Sequence, residues 1–246
     1  MNDEKYFKKD YAVSFNENEY VKMNYYQENK DNFDSFDYLW KEMWECFDCE
    51  ADGCTYERFG CKVNEGDVVV DIGANIGMFA NRAAYKGASK IICFEPLTPA
   101  FRCLIENKPE NTEVYKFGIS DRREMAKIKT PTKLEYMACS TIDGEITNSC
   151  LEENVYLDSL NNLYEIGLLG KVDFLKIDCE GHEHKVLQGL SDSVIKEMGI
   201  SKLAIEFHNS MVKKELMDHT IKRFEMLGFK FFVLFGGDVN LLNLWK

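Results

Sequence analysis

The residues best suited to chemistry fall in short runs, each placed where an apolar stretch ends. The first is Asp71-Ile72-Gly73-Ala74-Asn75-Ile76-Gly77, whose glycines let the backbone turn sharply and approach a ligand without a Cβ. The dinucleotide fingerprint needs a further glycine where Asn75 stands, so a pyrophosphate would be crowded out. The loop also lacks the Lys followed by Ser or Thr that cradles a nucleoside triphosphate. The second run, Cys93-Phe94-Glu95-Pro96, offers a carboxylate that can accept both hydroxyls of a ribose. The third, Gly118-Ile119-Ser120-Asp121, offers Ser120 or Asp121 to an adenine amino group. Read singly these are ordinary turns; three in succession outline a nucleoside site.

A second group carries proton chemistry. Asp178, Glu180 and His182 cluster in Ile177-Asp178-Cys179-Glu180-Gly181-His182-Glu183-His184, and each is a candidate general base within reach of an acceptor hydroxyl, Asp178 first. Glu180 and Glu183 equally suit helix N-terminal acids stabilised by the dipole. His182 and His184 stand two apart on the predicted helix, roughly 200° around its axis, so they do not face one ion together. The expectation is no metal, although Asp178 and Glu206 at neighbouring strand ends would also suit a divalent ion. His208 reads as a structural hydrogen-bonder and His219 as exposed. Four of the nine cysteines, Cys46, Cys49, Cys54 and Cys61, lie close together, and without a matching second pair they read as free thiols.

The elements that position these groups are legible from Val63 onward, where short β-rich apolar runs alternate with segments of helical period. Val68 to Ile72, Lys90 to Phe94, Val114 to Ile119, Val172 to Ile177 and Leu203 to Phe207 read as buried strands. Ile76 to Tyr85, Pro99 to Asn107, His182 to Leu190 and Val212 to Leu227 read as crossover helices. Phe229 to Phe235 and Val239 to Trp245, separated by Gly236-Gly237-Asp238, predict a closing hairpin. The result is a doubly wound, mostly parallel seven-stranded α/β sheet, in which ligands bind beyond the strand carboxyl ends. Residues 122 to 160 read as an insertion.

Residues 1 to 61 form an aromatic-rich extension, holding 15 of the chain's 32 aromatic residues with no alternating apolar pattern, and are read as outside any sheet. Phe33, Phe36, Trp40, Met43 and Phe47 place one apolar stripe on a helix, suited to packing or to a cap over a substrate site. Residues 62 to 246 make up the catalytic domain. The net charge of −12 opposes a polyphosphate partner, so nucleic acid is not expected. No stretch reaches the ~18 apolar residues of a membrane span, and the start resembles no leader, which reads as a cytoplasmic protein.

Val70 to Gly77, Phe94-Glu95-Pro96, Leu157-Asp158-Ser159-Leu160 and above all Asp173 to Glu183 resemble the FkbM-type methyltransferases. The resemblance runs from 62 to 207 and leaves the aromatic extension unmatched. It implies a Rossmann-like class I methyltransferase fold, S-adenosyl-L-methionine as donor, and methylation of a hydroxyl on a sugar, glycan or natural-product acceptor. On the matching positions it implies that Asp71, Gly73, Asn75 and Gly77 hold the methionine end, Glu95 the ribose, and Ser120 with Asp121 the adenine. The competing readings are an amine or carboxyl methyltransferase, a non-catalytic Rossmann-like interaction module, and a nicotinamide oxidoreductase, the last weakened by Asn75.

Overall fold

The computed structural model describes residues 7–16, 19–27, 43, 55–131, 142, 150–208, 214–236 and 239–246. Near the N-terminus β1 (Phe7–Asn16) and β2 (Glu19–Gln27) pair antiparallel, with Tyr11 opposite Met23 and Val13 opposite Val21. The reading of this segment as sheet-free is therefore corrected. Its runs are rich in Tyr and Val, which favour a pleated surface even without clean alternation, and turn-forming residues separate them. The striped helix expected over Phe33 to Phe47 lies outside the described residues apart from Met43, which is helical and buried.

The rest is a doubly wound sheet with helical crossovers. In chain order it contains β3 (Val68–Ile72), α1 (Met78–Tyr85), β4 (Lys90–Phe94), α2 (Thr98–Asn107) and β5 (Thr112–Tyr115). After β6 (Gly118–Ser120), β7 (Glu124–Pro131) and β8 (Cys150–Ser159) come α3 (Leu160–Glu165), β9 (Phe174–Ile177), α4 (Glu183–Gln188) and α5 (Asp192–Met198). The chain ends with β10 (Lys202–His208), α6 (Lys214–Met226), β11 (Lys230–Phe235) and β12 (Val239–Trp245). The central sheet has the order β11-β12-β10-β9-β3-β4-β5 and is parallel from β5 to β10. β12 enters antiparallel between β10 and β11, as the closing hairpin requires.

Two expectations change. The strand read over Val114 to Ile119 is two: β5 ends at Tyr115, and β6 leaves the central sheet to pair with β8. The described residues of the insertion, with β6, form a second sheet, β6-β8-β7, in which β7 and β8 are antiparallel. Phe117 at the break packs against Phe94, Tyr115 and Tyr156, so an aromatic cluster joins the two sheets.

Alternation along the central strands decides what reaches the site. Val70 and Ile72 of β3 enter one core layer, together with Ile92, Phe94, Leu175, Ile177 and Ile205. Val69 faces the opposite layer with Ile91, Cys93, Phe174, Ala204 and the helix residue Phe79. The two-residue period puts Asp71, Lys176 and Glu206 on that second face. Asp71 and Lys176 are register partners, as are Lys176 and Ala204, so the three polar residues stand on adjacent strands near their carboxyl ends.

Candidate active site at the carboxyl ends of the strands

The glycine turn joins β3 to α1 and is fixed from several sides. Gly73 and Gly77 have φ of +74° and +90°, and Asn75 has φ of 50°, the left-handed region that Asn tolerates better than most side chains. Gly73 has no alternative: a Cβ there would lie 1.7 Å from the carbonyl oxygen of Asp178. The turn and the exit of β9 are thus in direct contact. Asn81 donates to the carbonyls of Gly77 and Asn107, and Asn107 to that of Ile76, which locks the turn onto α1 and α2.

Glu95 sits just past β4, 6% exposed, with its carboxylate fixed by two backbone donors. Asn75 N–H donates to Oε2 and Leu97 N–H to Oε1, each at 2.8 Å. Each oxygen keeps further acceptor capacity. Burial pushes Glu95 up to about 7, against the pull of these two hydrogen bonds.

Ser120 ends β6. Its side chain is fully buried; its hydroxyl donates to Asp121 Oδ1 and lies 2.9 Å from His182 Nε2. Asp121 is partly exposed, beside Arg122 at 3.3 Å and Lys185 at 3.6 Å. Asp158, the acid of the Leu157-Asp158-Ser159-Leu160 run, is buried and accepts from Ser159 N–H, Asn162 and Arg123, fixing the β8–α3 junction.

The acids and bases separate in space. Asp178 joins Lys176, Tyr56 and Glu206: Lys176 Nζ lies 3.3 Å from Asp178 Oδ2 and 3.1 Å from Asp71 Oδ1, and bonds the Gly73 carbonyl at 3.2 Å. Burial opposes charge on Lys176, but Asp71 and Asp178 outweigh it and hold the ammonium above the ordinary lysine range. Asp71 Oδ2 has no hydrogen-bond partner among the described residues. Glu180, at φ 52°, lies with Oε2 3.1 Å from His208 Nε2, while His208 Nδ1 lies 2.9 Å from Glu183 Oε1. Burial pulls His208 down, yet Glu180 and Glu183 push it up to about 12, so it is a charged imidazolium between two carboxylates. His182, the third base candidate, is buried against Ser120, and His184 lies 3.2 Å from the Gly181 carbonyl.

Asp178, Glu180 and His208 bring possible donor atoms within 4.8 Å of one another, the closest approach to a metal-binding set among the described residues. Each is already engaged: His208 between Glu180 and Glu183, Asp178 by Lys176 and Tyr56. Together they form an ion-paired network. Of the cysteines read as free thiols, Cys46, Cys49 and Cys54 lie outside the described residues; Cys61 is a buried free thiol donating to the Leu203 carbonyl.

The domain description "Methyltransferase FkbM domain" matches residues 71–231, which contain the glycine turn, Glu95 and the Asp178 network. The chain belongs to the FkbM methyltransferase family. Among relatives, the hexuronic acid methyltransferase AglP of Haloferax volcanii is 24% identical over 180 residues, 72% of this chain and 70% of AglP. The AMB antimetabolite synthetase AmbE of Pseudomonas aeruginosa is 27% identical over 196 residues, 63% of this chain; the match spans only 9% of AmbE. Among solved structures, a precorrin-6y C5,15-methyltransferase from Geobacter metallireducens aligns with a TM-score of 0.44 and 11% identity, covering 76% of this chain and 84% of that one. A ribosomal protein L11 methylase from Lactobacillus delbrueckii gives 0.41 and 10%, covering 74% and 71%.

Two residues of this FkbM member escaped sequence reasoning. Lys176 was signalled: a lysine inside the buried strand Phe174-Leu175-Lys176-Ile177 needs a buried counter-charge, and Asp71 is the acid on the neighbouring strand. Tyr56 had no such signal, because it precedes the matched stretch and reaches the site only through the fold.

Proposed function

We propose that this chain transfers a methyl group from S-adenosyl-L-methionine to a hydroxyl oxygen, with a sugar of the uronic acid class as acceptor. The observation that carries this reading is the contact between the Gly73 turn and Asp178: the cofactor loop and the foremost base candidate abut, leaving no room for a Cβ. The residues fit the donor. Asp71 Oδ2 is a buried acceptor without a hydrogen-bond partner among the described residues, and both Glu95 oxygens, fixed by backbone donors, have capacity for ribose hydroxyls. Asp121 is the adenine-side candidate. When bound, S-adenosylmethionine supplies an electrophilic methyl group on a sulfonium.

The protein's part is alignment and proton removal. An alcohol becomes a competent nucleophile as it loses its proton, and Asp178 is positioned for that beside Lys176. Glu180, tied to His208, serves acceptor positioning, and His182 holds Ser120 and the start of α4. The hexuronic acid methyltransferase among the relatives is consistent with a sugar acceptor.

Titration calorimetry tests the donor directly: S-adenosylmethionine or its demethylated product should bind and NAD should not. Tight NAD binding with no response to S-adenosylmethionine would overturn the proposal.

A further inference from the structure

Tyr56 lies outside the family-matched stretch, yet its side chain is fully buried over the sheet face that bears Asp71, Lys176 and Glu206. Its ring stands edge-on to Phe79 with centroids 5.8 Å apart, and Lys176 Nζ is 5.0 Å from the ring centroid. Its hydroxyl oxygen is 2.9 Å from Asp178 Oδ2 and 2.5 Å from Glu206 Oε2. A phenol has one proton and donates one hydrogen bond at a time. Two carboxylates at bonding distance from one phenol therefore need a second proton, since otherwise an anion would face the lone pairs of the phenol oxygen.

The surroundings say which carboxylate holds it. Asp178 has the Lys176 ammonium at 3.3 Å and is the more open of the two, with 23% of its side chain exposed against 10% for Glu206. Among the described residues the nearest cationic atom to a Glu206 oxygen is His208 Nε2, at 3.8 Å, and that imidazolium is already committed to Glu180 and Glu183. The charged groups around the trio are Asp71 from β3, Lys176 from β9, Glu180 from the following loop and His208 from β10. An anion is better compensated on Asp178, and the extra proton belongs on Glu206.

We propose that Tyr56 couples the two carboxylates as a positioning residue: protonated Glu206 keeps the phenol donating to Asp178, and ionisation of Glu206 turns the phenol away and frees Asp178 as the base. This rests on the hydroxyl-methylation reading above. In the first state Glu206 O–H donates to the Tyr56 oxygen and Tyr56 O–H to Asp178. In the second, Glu206 has released one proton to water and accepts from Tyr56 O–H; no proton leaves the phenol. Asp178 then has Lys176 as its remaining partner in the trio's surroundings and takes the acceptor's proton more readily. Burial, with the charge of Asp178, pushes Glu206 up to about 7, which places the change near neutral pH.

Infrared difference spectroscopy of the whole chain, without cofactor or acceptor, tests the coupling. Spectra are taken across about pH 5 to 9, bracketing the carboxyl and imidazole ranges. The wild type should lose a protonated-carboxyl C=O band near neutral pH, and part of that loss should vanish in Glu206→Gln; whatever remains belongs to other carboxyls such as Glu95. In Tyr56→Phe the Glu206 part should move to higher pH, because the ionised carboxylate loses a donor. Circular dichroism checks that both variants fold, and the Gln variant serves alone if the Phe variant does not. An unchanged band in Glu206→Gln, or an unshifted midpoint in a folded Tyr56→Phe, would overturn the proposal. Because no methyl donor is used, that failure is separable from failure of the methyltransferase reading.

Discussion

The ammonium of Lys176 lies 3.1 Å from Oδ1 of Asp71, its register partner on the adjacent parallel strand, and both side chains are almost wholly buried. Strand alternation sends both to the same face, and neither charge is tolerable there without the other. Lys176→Met should therefore destabilise the fold by about 3 to 5 kcal/mol, the cost of leaving a buried charge unpaired. Asp71→Asn combined with Lys176→Met should recover most of that loss in chemical denaturation. Equal stability of the single variant and the wild type would show that Asp71 does not depend on the ammonium.

Glu95 gives a pH dependence with a definite sign. In the free protein burial pushes it up to about 7, whereas ribose hydroxyls donate to the ionised form. Affinity for S-adenosylmethionine should be full above that pH and weaken as pH falls through it, by at most about tenfold per unit. Glu95→Gln should flatten this dependence and weaken binding by about 2 to 4 kcal/mol, the loss of non-additive charge-assisted hydrogen bonds. Calorimetry at several pH values checks both, and an unchanged affinity would remove Glu95 from the site.

Gly73→Ala joins a backbone clash with Asp178 to a φ that L-residues avoid, and should cost at least about 2 kcal/mol while abolishing cofactor binding. Gly66→Ala is the control. Its φ is +84° but nothing lies within 4 Å of the added Cβ, so it should pay only the conformational cost, about 1 to 2 kcal/mol, and bind normally. Similar losses of binding in both variants would mean that close packing against Asp178 is unimportant.

The His208 network predicts indifference to divalent ions. With the imidazolium held by Glu180 and Glu183, the melting temperature in chelator should match that in excess magnesium or manganese. A rise of several degrees with either metal, lost in His208→Ala, would instead make Asp178, Glu180 and His208 its ligands.

The central sheet was readable because most of its parallel strands are short apolar runs ending in a turn, and the glycine turn and Glu95 mark two of the strand exits. The hairpin of Phe7 to Gln27 was not, since its aromatic residues carry no clean two-residue period. The split between Tyr115 and Gly118 was hidden because Val114 to Ile119 is apolar enough for one strand; only the packing of Phe117 shows the break. Within the site, Asp178 and Glu180 were visible from a single run. Tyr56 was not, because two adjacent strands separated in sequence bring its partners together, and local spacing does not encode that contact.

Methyl transfer by the Asp178→Asn protein tests the central claim most directly. The wild type and variant are incubated with S-adenosylmethionine bearing an isotopically labelled methyl group and a panel of uronic acids and their glycosides, and products are read by mass spectrometry. The wild type should give a singly methylated product with the label on oxygen. The variant should bind S-adenosylmethionine with nearly wild-type affinity but turn over roughly 10² to 10⁴ times more slowly, the usual contribution of a general base. Wild-type turnover in the Asp178→Asn protein, or label on nitrogen or a carboxyl group instead of a hydroxyl, would contradict the account.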